Sequence, residues 1–254
     1  MKTDINCDMG ESFGAYKLGL DEEVIKLISS ANVGCGFHAG DPHVMRNTVA
    51  LAKEHGVAVG AHPGLPDLLG FGRREMKVTP EEVKDYFIYQ VGALKAFVEI
   101  AGMKLQHVKM HGALDTMARA DEELTRAMCE ATREISPDLV WLAHSGSRGV
   151  EIARNMGLKV VQEVYADRAY NADKSLVSRA LPGAVLKDPQ HVGARIKQLI
   201  KSGNITTFDG KTLELEFDSI CVHGDTPGAL EMIRTIRGTL ADHDVAIKPM
   251  AEFI

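Results

Sequence analysis

The sequence predicts a parallel α/β fold, either an incomplete barrel or a doubly wound sheet, built from seven strand and helix units. Short alternating or apolar runs recur along the chain, and nearly all are separated by stretches with helical caps and helical spacing. Several of these runs end on histidines or carboxylates, the signature of a fold whose site lies at the carboxyl ends of its strands. No linker or composition shift divides the 254 residues, so 1–254 is read as one domain. A chain of this size buries roughly 70 to 75% of its unfolded surface, enough for a large core.

The first strand is Thr3 to Asp8, with Ile5 and Cys7 on one face and Asp4, Asn6 and Asp8 on the other. A loop from Met9 to Gly14 and a helix from about Asp21 to Ser30 lead into Ala31 to His38. Alternation there sets Val33, Cys35 and Phe37 opposite Asn32, Gly34, Gly36 and His38. Asp41 and Pro42 then cap and open a helix to His55. Val57 to Pro63 is the third strand, and Gly64 to Arg74 a long loop. Thr79-Pro80-Glu81-Glu82 is a capping box for a helix to about Ala101. Leu105 to His111 is a strand, Asp121 to about Ile135 a helix, Leu139 to His144 a strand and Gly149 to Met156 a short helix. Leu158 to Val164 is the sixth strand. The aperiodic stretch from Tyr165 to Leu186 holds Asp167, Arg168, Tyr170 and Arg179 and reads as a lid or binding loop. A helix from Pro189 to Ser202, a hairpin from Ile205 to Phe217 turning at Asp209-Gly210, a strand from Ser219 to His223, a helix from Pro227 to about Ala241 and a terminal segment complete the chain.

A net charge of −6 gives no electrostatic footprint for nucleic acid. No apolar run approaches the ~20 residues of a membrane span. The start, Met1-Lys2-Thr3-Asp4, enters a strand without a leader and points to the cytoplasm. The four cysteines, Cys7, Cys35, Cys129 and Cys221, form no CxxC pair and read mostly as small core residues.

The residues that carry chemistry sit opposite the aliphatic face of each strand: Asn6 and Asp8, His38, His62, Lys109 and His111, and His223 with Asp225. They therefore face the lumen or crevice together. His144 is supporting at best, and His43, His55, His107, His191 and His243 read as solvated or core. Asp8, His38 and His62 fit an Asp-His-His metal site with open positions, or, as the favoured reading, a metal-free acid/base cluster. Lys109 meets a substrate carboxylate or phosphate, or pairs with Asp8. Gly70-Phe71-Gly72-Arg73-Arg74 wraps an anion with an arginine clamp, or is an ordinary loop. Gly210-Lys211-Thr212 is no P-loop, because Ile205 stands where the glycine is needed.

These residues lie in blocks that resemble the LamB/YcsF family. They are Asp4 to Glu11, Ser30 to Pro42, Gly60 to Gly64 with Gly70 to Arg74, Val108 to Leu114, Asp167 to Tyr170, and Cys221 to Gly228. The chain departs from the family at Asp115-Thr116, where a tyrosine and an asparagine are usual; this bears on specificity. The resemblance implies a (β/α)7 barrel of the glycoside hydrolase/deacetylase type. It also implies hydrolysis of the lactam of 5-oxo-L-proline to L-glutamate, coupled to ATP hydrolysis, as the A subunit of a 5-oxoprolinase with partner subunits B and C. ATP, with Mg alongside, is then a co-substrate of the complex, and no motif obliges this chain to bind nucleotide alone. On this reading Asp8 is the base, and His38, His62, His111 and His223 move protons or hold the oxyanion. Asn6, Arg73, Lys109, Asp167, Arg168 and Asp225 meet substrate or phosphate. The rivals are a metal-dependent deacetylase or carbohydrate hydrolase on the same barrel, and a non-catalytic substrate-binding subunit.

Overall fold

Seven parallel strands close on themselves. The computed structural model describes residues 1–224 and 228–254. β1 (Lys2–Met9), β2 (Ser30–Gly34), β3 (Ala58–His62), β4 (Leu105–Val108), β5 (Val140–His144) and β6 (Lys159–Tyr165) lie side by side in chain order. The strand Ser219–Val222, β9 once the hairpin strands β7 (Asn204–Thr206) and β8 (Thr212–Glu214) are counted, pairs with both β6 and β1. That double pairing makes a barrel and excludes the open, doubly wound alternative.

Local chemistry explains the connecting helices. Asp41 accepts from the His43 and Val44 amides at the start of α2 (Pro42–His55), following the short α1 (Asp21–Val24). Thr79 and Glu82 form the expected capping box of α3 (Pro80–Ile100). α4 (Gly112–Ala120) was not expected from the sequence. It abuts α5 (Glu122–Ile135), and Asp121 ends one helix and caps the next, so the two read as a loop and a single helix. The expected helix over 21–30 is also shorter: α1 gives way to a 3-10 turn at Ile25–Leu27, and Ser30 already belongs to β2. α6 (Arg148–Asn155), α7 (Pro189–Ser202) and α8 (Ala229–Ala241) complete the outer layer. Gly210-Lys211-Thr212 falls in the turn and first residue of the β7–β8 hairpin.

The main core lies between barrel and helices, where Ile5, Cys7, Val33, Val59, Val108, Ile220 and Val222 pack with residues such as Phe87, Trp141 and Ile236. The alternate residues point inward. Met250, from a terminal 3-10 turn, packs with Val140, Leu142 and Val161 in a separate small cluster. A short strand, β10 (Ala246–Ile247), holds that terminal segment against Lys2 and Thr3 of β1. Above this apolar floor the lumen is polar up to the carboxyl ends of the strands, where the cavity opens.

Candidate active site at the carboxyl end of the barrel

Register places Asp8 of β1 beside Asn32 of β2. Its Oδ1 accepts from Asn32 Nδ2 at 2.8 Å and from Lys109 Nζ at 3.2 Å, while Oδ2 lies 3.5 Å from His62 Nε2. Lys109 Nζ also donates to Asn6 Oδ1 at 3.2 Å, pairs with Glu163 at 3.0 Å and lies 3.0 Å from Cys221 Sγ. Burial alone would raise the pKa of Asp8, but His62 and Lys109 outweigh it and hold the carboxyl well below its usual range. Burial likewise works against the Lys109 ammonium, and its acidic neighbours, Asp8 first, overcome it and raise its pKa well above normal. Both groups are therefore charged at neutral pH.

The histidines are fixed by backbone carbonyls. His62 Nδ1 donates to the Lys109 carbonyl at 2.8 Å, and His111 Nε2 to the Phe71 carbonyl at 2.8 Å. Their other nitrogens, His62 Nε2 and His111 Nδ1, face each other at 3.0 Å. His38 stacks on His111, with ring centroids 3.7 Å apart and planes 6° from parallel, and its Nε2 meets Glu11 Oε1 at 3.2 Å. Burial first, and neighbouring histidines next, push the pKa of His38 and of His111 well below normal, so both rings are neutral. Gly72 makes room for the stack: it has φ +63°, and a Cβ there would sit 2.6 Å from His38 Cβ and 2.9 Å from His111 Cδ2.

On the opposite side His223 places Nδ1 2.9 Å and 3.0 Å from the two oxygens of Asp167 and stacks on Tyr165. Asp167 is fully buried. Between the two sides opens a cavity of about 650 Å³. Its floor is Asp8, His62, Lys109, His111 and His223, and its walls carry Arg73, Arg119, Arg168 and Arg179 with Glu75 and Asp115. Arg119 Nε lies 3.1 Å from Asp115 Oδ2. Arg168 donates to the Val177 carbonyl at 2.6 Å, and burial, then the nearby Arg179, lowers its pKa to about 10.

The sequence pattern of the LamB/YcsF family matches residues 3–254. The chain belongs to that family. It is 57% identical over 254 residues to the A subunit of 5-oxoprolinase from Thermococcus onnurineus, covering 100% of both chains. It is 53% identical over 249 residues to the A subunit of 5-oxoprolinase from Clostridium beijerinckii, covering 98% of each. Among solved structures it resembles the lactam utilization protein from Thermus thermophilus, with a TM-score of 0.92 and 43% identity over 98% of this chain and 100% of that one.

In this LamB/YcsF chain Asp8, His62, Lys109, His111 and His223 converge as the strand-end reading expects. His38 arrives by another route. β2 ends at Gly34, and Gly36, at φ +93°, turns the chain, so alternation does not set the His38 side chain. His38 stands behind His111, Asn6 behind Lys109, and Asp167 behind His223; none of the three lines the cavity. Arg73 reaches the cavity and sits over the Phe71 ring, whereas Arg74 pairs with Asp67. Asp225 lies outside the described residues. His144 is tied to the Lys174 carbonyl at 2.6 Å, and the buried His107 meets Asn32 Oδ1 at 2.7 Å. Cys221, fully buried in the main core cluster as a small core residue, also lies 3.0 Å from Lys109 Nζ.

Glu11, Glu163, Tyr165 and Arg119 were not singled out as site residues. Glu163 and Tyr165 were within reach of the parity rule, since they alternate with Gln162 and Val164 along β6. The metal grouping also differs from the expected Asp8, His38 and His62. Among the described residues, the sets of possible ligand atoms lying within 4.8 Å of one another are Glu11, His38, His62 and His111, and Asp8, Cys221 and His223.

Proposed function

We propose that this chain acts as the A subunit of a 5-oxoprolinase, hydrolysing the lactam of 5-oxo-L-proline to L-glutamate with ATP hydrolysis in a complex with B and C subunits. The observation that carries the reading is the cavity itself, in which a charged Asp8–Lys109 pair and a His223–Asp167 dyad face a wall of arginines. The names of the relatives support the substrate. A five-membered lactam is a poor electrophile because of amide resonance. Transfer of the ATP γ-phosphoryl group to its carbonyl oxygen releases ADP and makes the carbon attackable by water. The C–N bond then breaks as the ring nitrogen takes a proton, leaving an acyl phosphate that a second water hydrolyses to glutamate and phosphate. Each intermediate is anionic, which suits Arg73, Arg119 and Lys109.

The roles follow from the geometry. Asp8 was expected to be the base, but a carboxylate held ionised by Lys109 and His62 is a weak one. Its part is to orient the water by charge. His223 gives its Nδ1 proton to Asp167 in a hydrogen bond, so its Nε2 is the proton acceptor and later donor. His62 and His111 line the cavity beside Asp8. The complex works in the cytoplasm; the four cysteines are all buried and unpaired, as a reducing compartment requires. No helix among the described residues is long and apolar enough to cross a membrane.

The test is 5-oxoproline-dependent ATP hydrolysis and glutamate release by the purified chain, with and without subunits B and C. Activity is expected only in the reconstituted complex, and Asp8→Asn is expected to lower it by at least about 10³-fold. Glutamate release at near wild-type rate by the variant removes Asp8 from the mechanism, and no 5-oxoproline-dependent turnover overturns the reading.

A further inference from the structure

We propose that Glu11, His62 and His111 form a site for one divalent transition-metal ion of the zinc type, set in the cavity wall beside Asp8. Carbonyl oxygens only accept, so the Lys109 carbonyl fixes the proton of His62 on Nδ1 and the Phe71 carbonyl fixes that of His111 on Nε2. When each ring carries only that one proton, His62 Nε2 and His111 Nδ1 present lone pairs that face each other at 3.0 Å. Two lone pairs at that separation repel unless a cation lies between them.

The spacing suits a metal. Two ligands about 2.0 to 2.1 Å from a tetrahedral zinc are about 3.3 Å apart. The His62–His111 separation of 3.0 Å and the 3.6 Å from His111 Nδ1 to Glu11 Oε1 bracket that value. The support behind the ligands is also in place. Metal-bound histidines commonly give their second N–H to a carbonyl, as both do here, and bound carboxylates are themselves hydrogen-bonded. His38 supplies that bond to Glu11: with its proton on Nε2 it donates at 3.2 Å, whereas a proton on Nδ1 would be buried without a partner. Two imidazoles and one carboxylate leave a position open toward the cavity, the pattern of a reactive zinc rather than a structural one. Asp8, with Oδ1 already held by Asn32 and Lys109, lies next to that position. The inference rests on atoms of this chain alone, so its failure leaves the 5-oxoproline reading standing.

The experiment is a titration of the chelator-stripped full chain with Zn²⁺ by calorimetry and with Co²⁺ by visible absorption, without substrate. One equivalent is expected, with the strong ligand-field band of four-coordinate Co²⁺. Glu11→Gln and His111→Asn are each expected to weaken binding by more than about 100-fold, and His38→Gln by about 10- to 100-fold. Asp8→Asn is expected to keep affinity within tenfold. Nitrogen-15 spectra of histidine-labelled wild-type protein give a readout that needs no variant: Zn²⁺ is expected to shift His62 Nε2 and His111 Nδ1 and leave their partner nitrogens protonated. Absence of stoichiometric binding, or shifts confined to His223, overturns the proposal in favour of a proton shared between the two rings. Loss of binding in Asp8→Asn with retention in Glu11→Gln overturns the ligand set.

Discussion

Asp4 and Asp8 lie on the same strand, point into the same lumen and are both buried, yet their environments drive them in opposite directions. Asp4, near the floor, accepts from the hydroxyls of Ser29 and Ser30 at 2.6 Å each and Ser219 at 2.5 Å. No cation pairs with it among the described contacts, and burial pushes its pKa up to about 6 despite those bonds. Asp8, four residues later, meets Lys109 and His62 and is held well below the usual range. The lumen thus has a structural layer, its carboxyl held by hydroxyls, under a reactive layer whose carboxyl is paired with a cation. Strand parity decides that a carboxyl faces inward; the neighbouring charge decides whether it is part of the frame or of the chemistry.

The comparison is broken most severely at Lys109. Lys109→Met leaves Asp8 and Glu163 buried without their shared ammonium and is expected to cost about 3 to 5 kcal/mol in urea unfolding at pH 7, with glutamate formation lost. A cost below about 1 kcal/mol would show that the upper layer does not depend on its cation. Asp167→Asn is the next largest. It keeps the shape but removes the charge and offers an amide N–H that can hold His223 in the other tautomer, so kcat of the reconstituted complex is expected to fall by about 10²- to 10⁴-fold with the unfolding midpoint little changed. Turnover within threefold of wild type would return the base role to Asp8.

Asp4→Asn sharpens the lower half of the contrast through pH. Because the folded pKa of about 6 lies above the unfolded 3.8, the native state holds this proton more tightly. Its contribution to stability is complete below about pH 4 and is lost as pH rises to about 6, a change of about 3 kcal/mol. Comparing wild type and variant across that range, the variant is expected to lack this downward slope. Parallel profiles for the two proteins would place Asp4 among the ionised groups.

The same contrast separates what could be read in the sequence from what could not. Asp8, His62, Lys109 and His223 are legible because regular alternation carries their direction into the lumen. Glu11, on the loop after β1, is not, since its approach to His38 depends on loop dihedrals that no periodicity encodes. His38 is the right residue reached by the wrong geometry, because β2 stops four residues before it. Closure of the sheet was open to two readings until β9 was seen to pair with β1, a contact between residues more than 200 positions apart. Arg119 escaped notice because it lies on α4, a nine-residue helix merged by sequence into its surroundings.

The smallest expected effect concerns Asp115, one of the two positions where the sequence reading expects a departure from the family pattern. Its carboxylate lines the cavity and lies 3.1 Å from Arg119, so it lowers the positive field that an anionic substrate meets. Asp115→Asn removes the charge with little change of shape. Two charges about 4 Å apart interact by about 1 kcal/mol in water and by more where solvent is partly excluded. The KM for 5-oxoproline in the reconstituted complex is therefore expected to fall by about 3- to 10-fold, with kcat within twofold and stability within about 1 kcal/mol. A rise in KM would instead mean that Asp115 serves to hold Arg119 in its working position, a role of geometry rather than of charge.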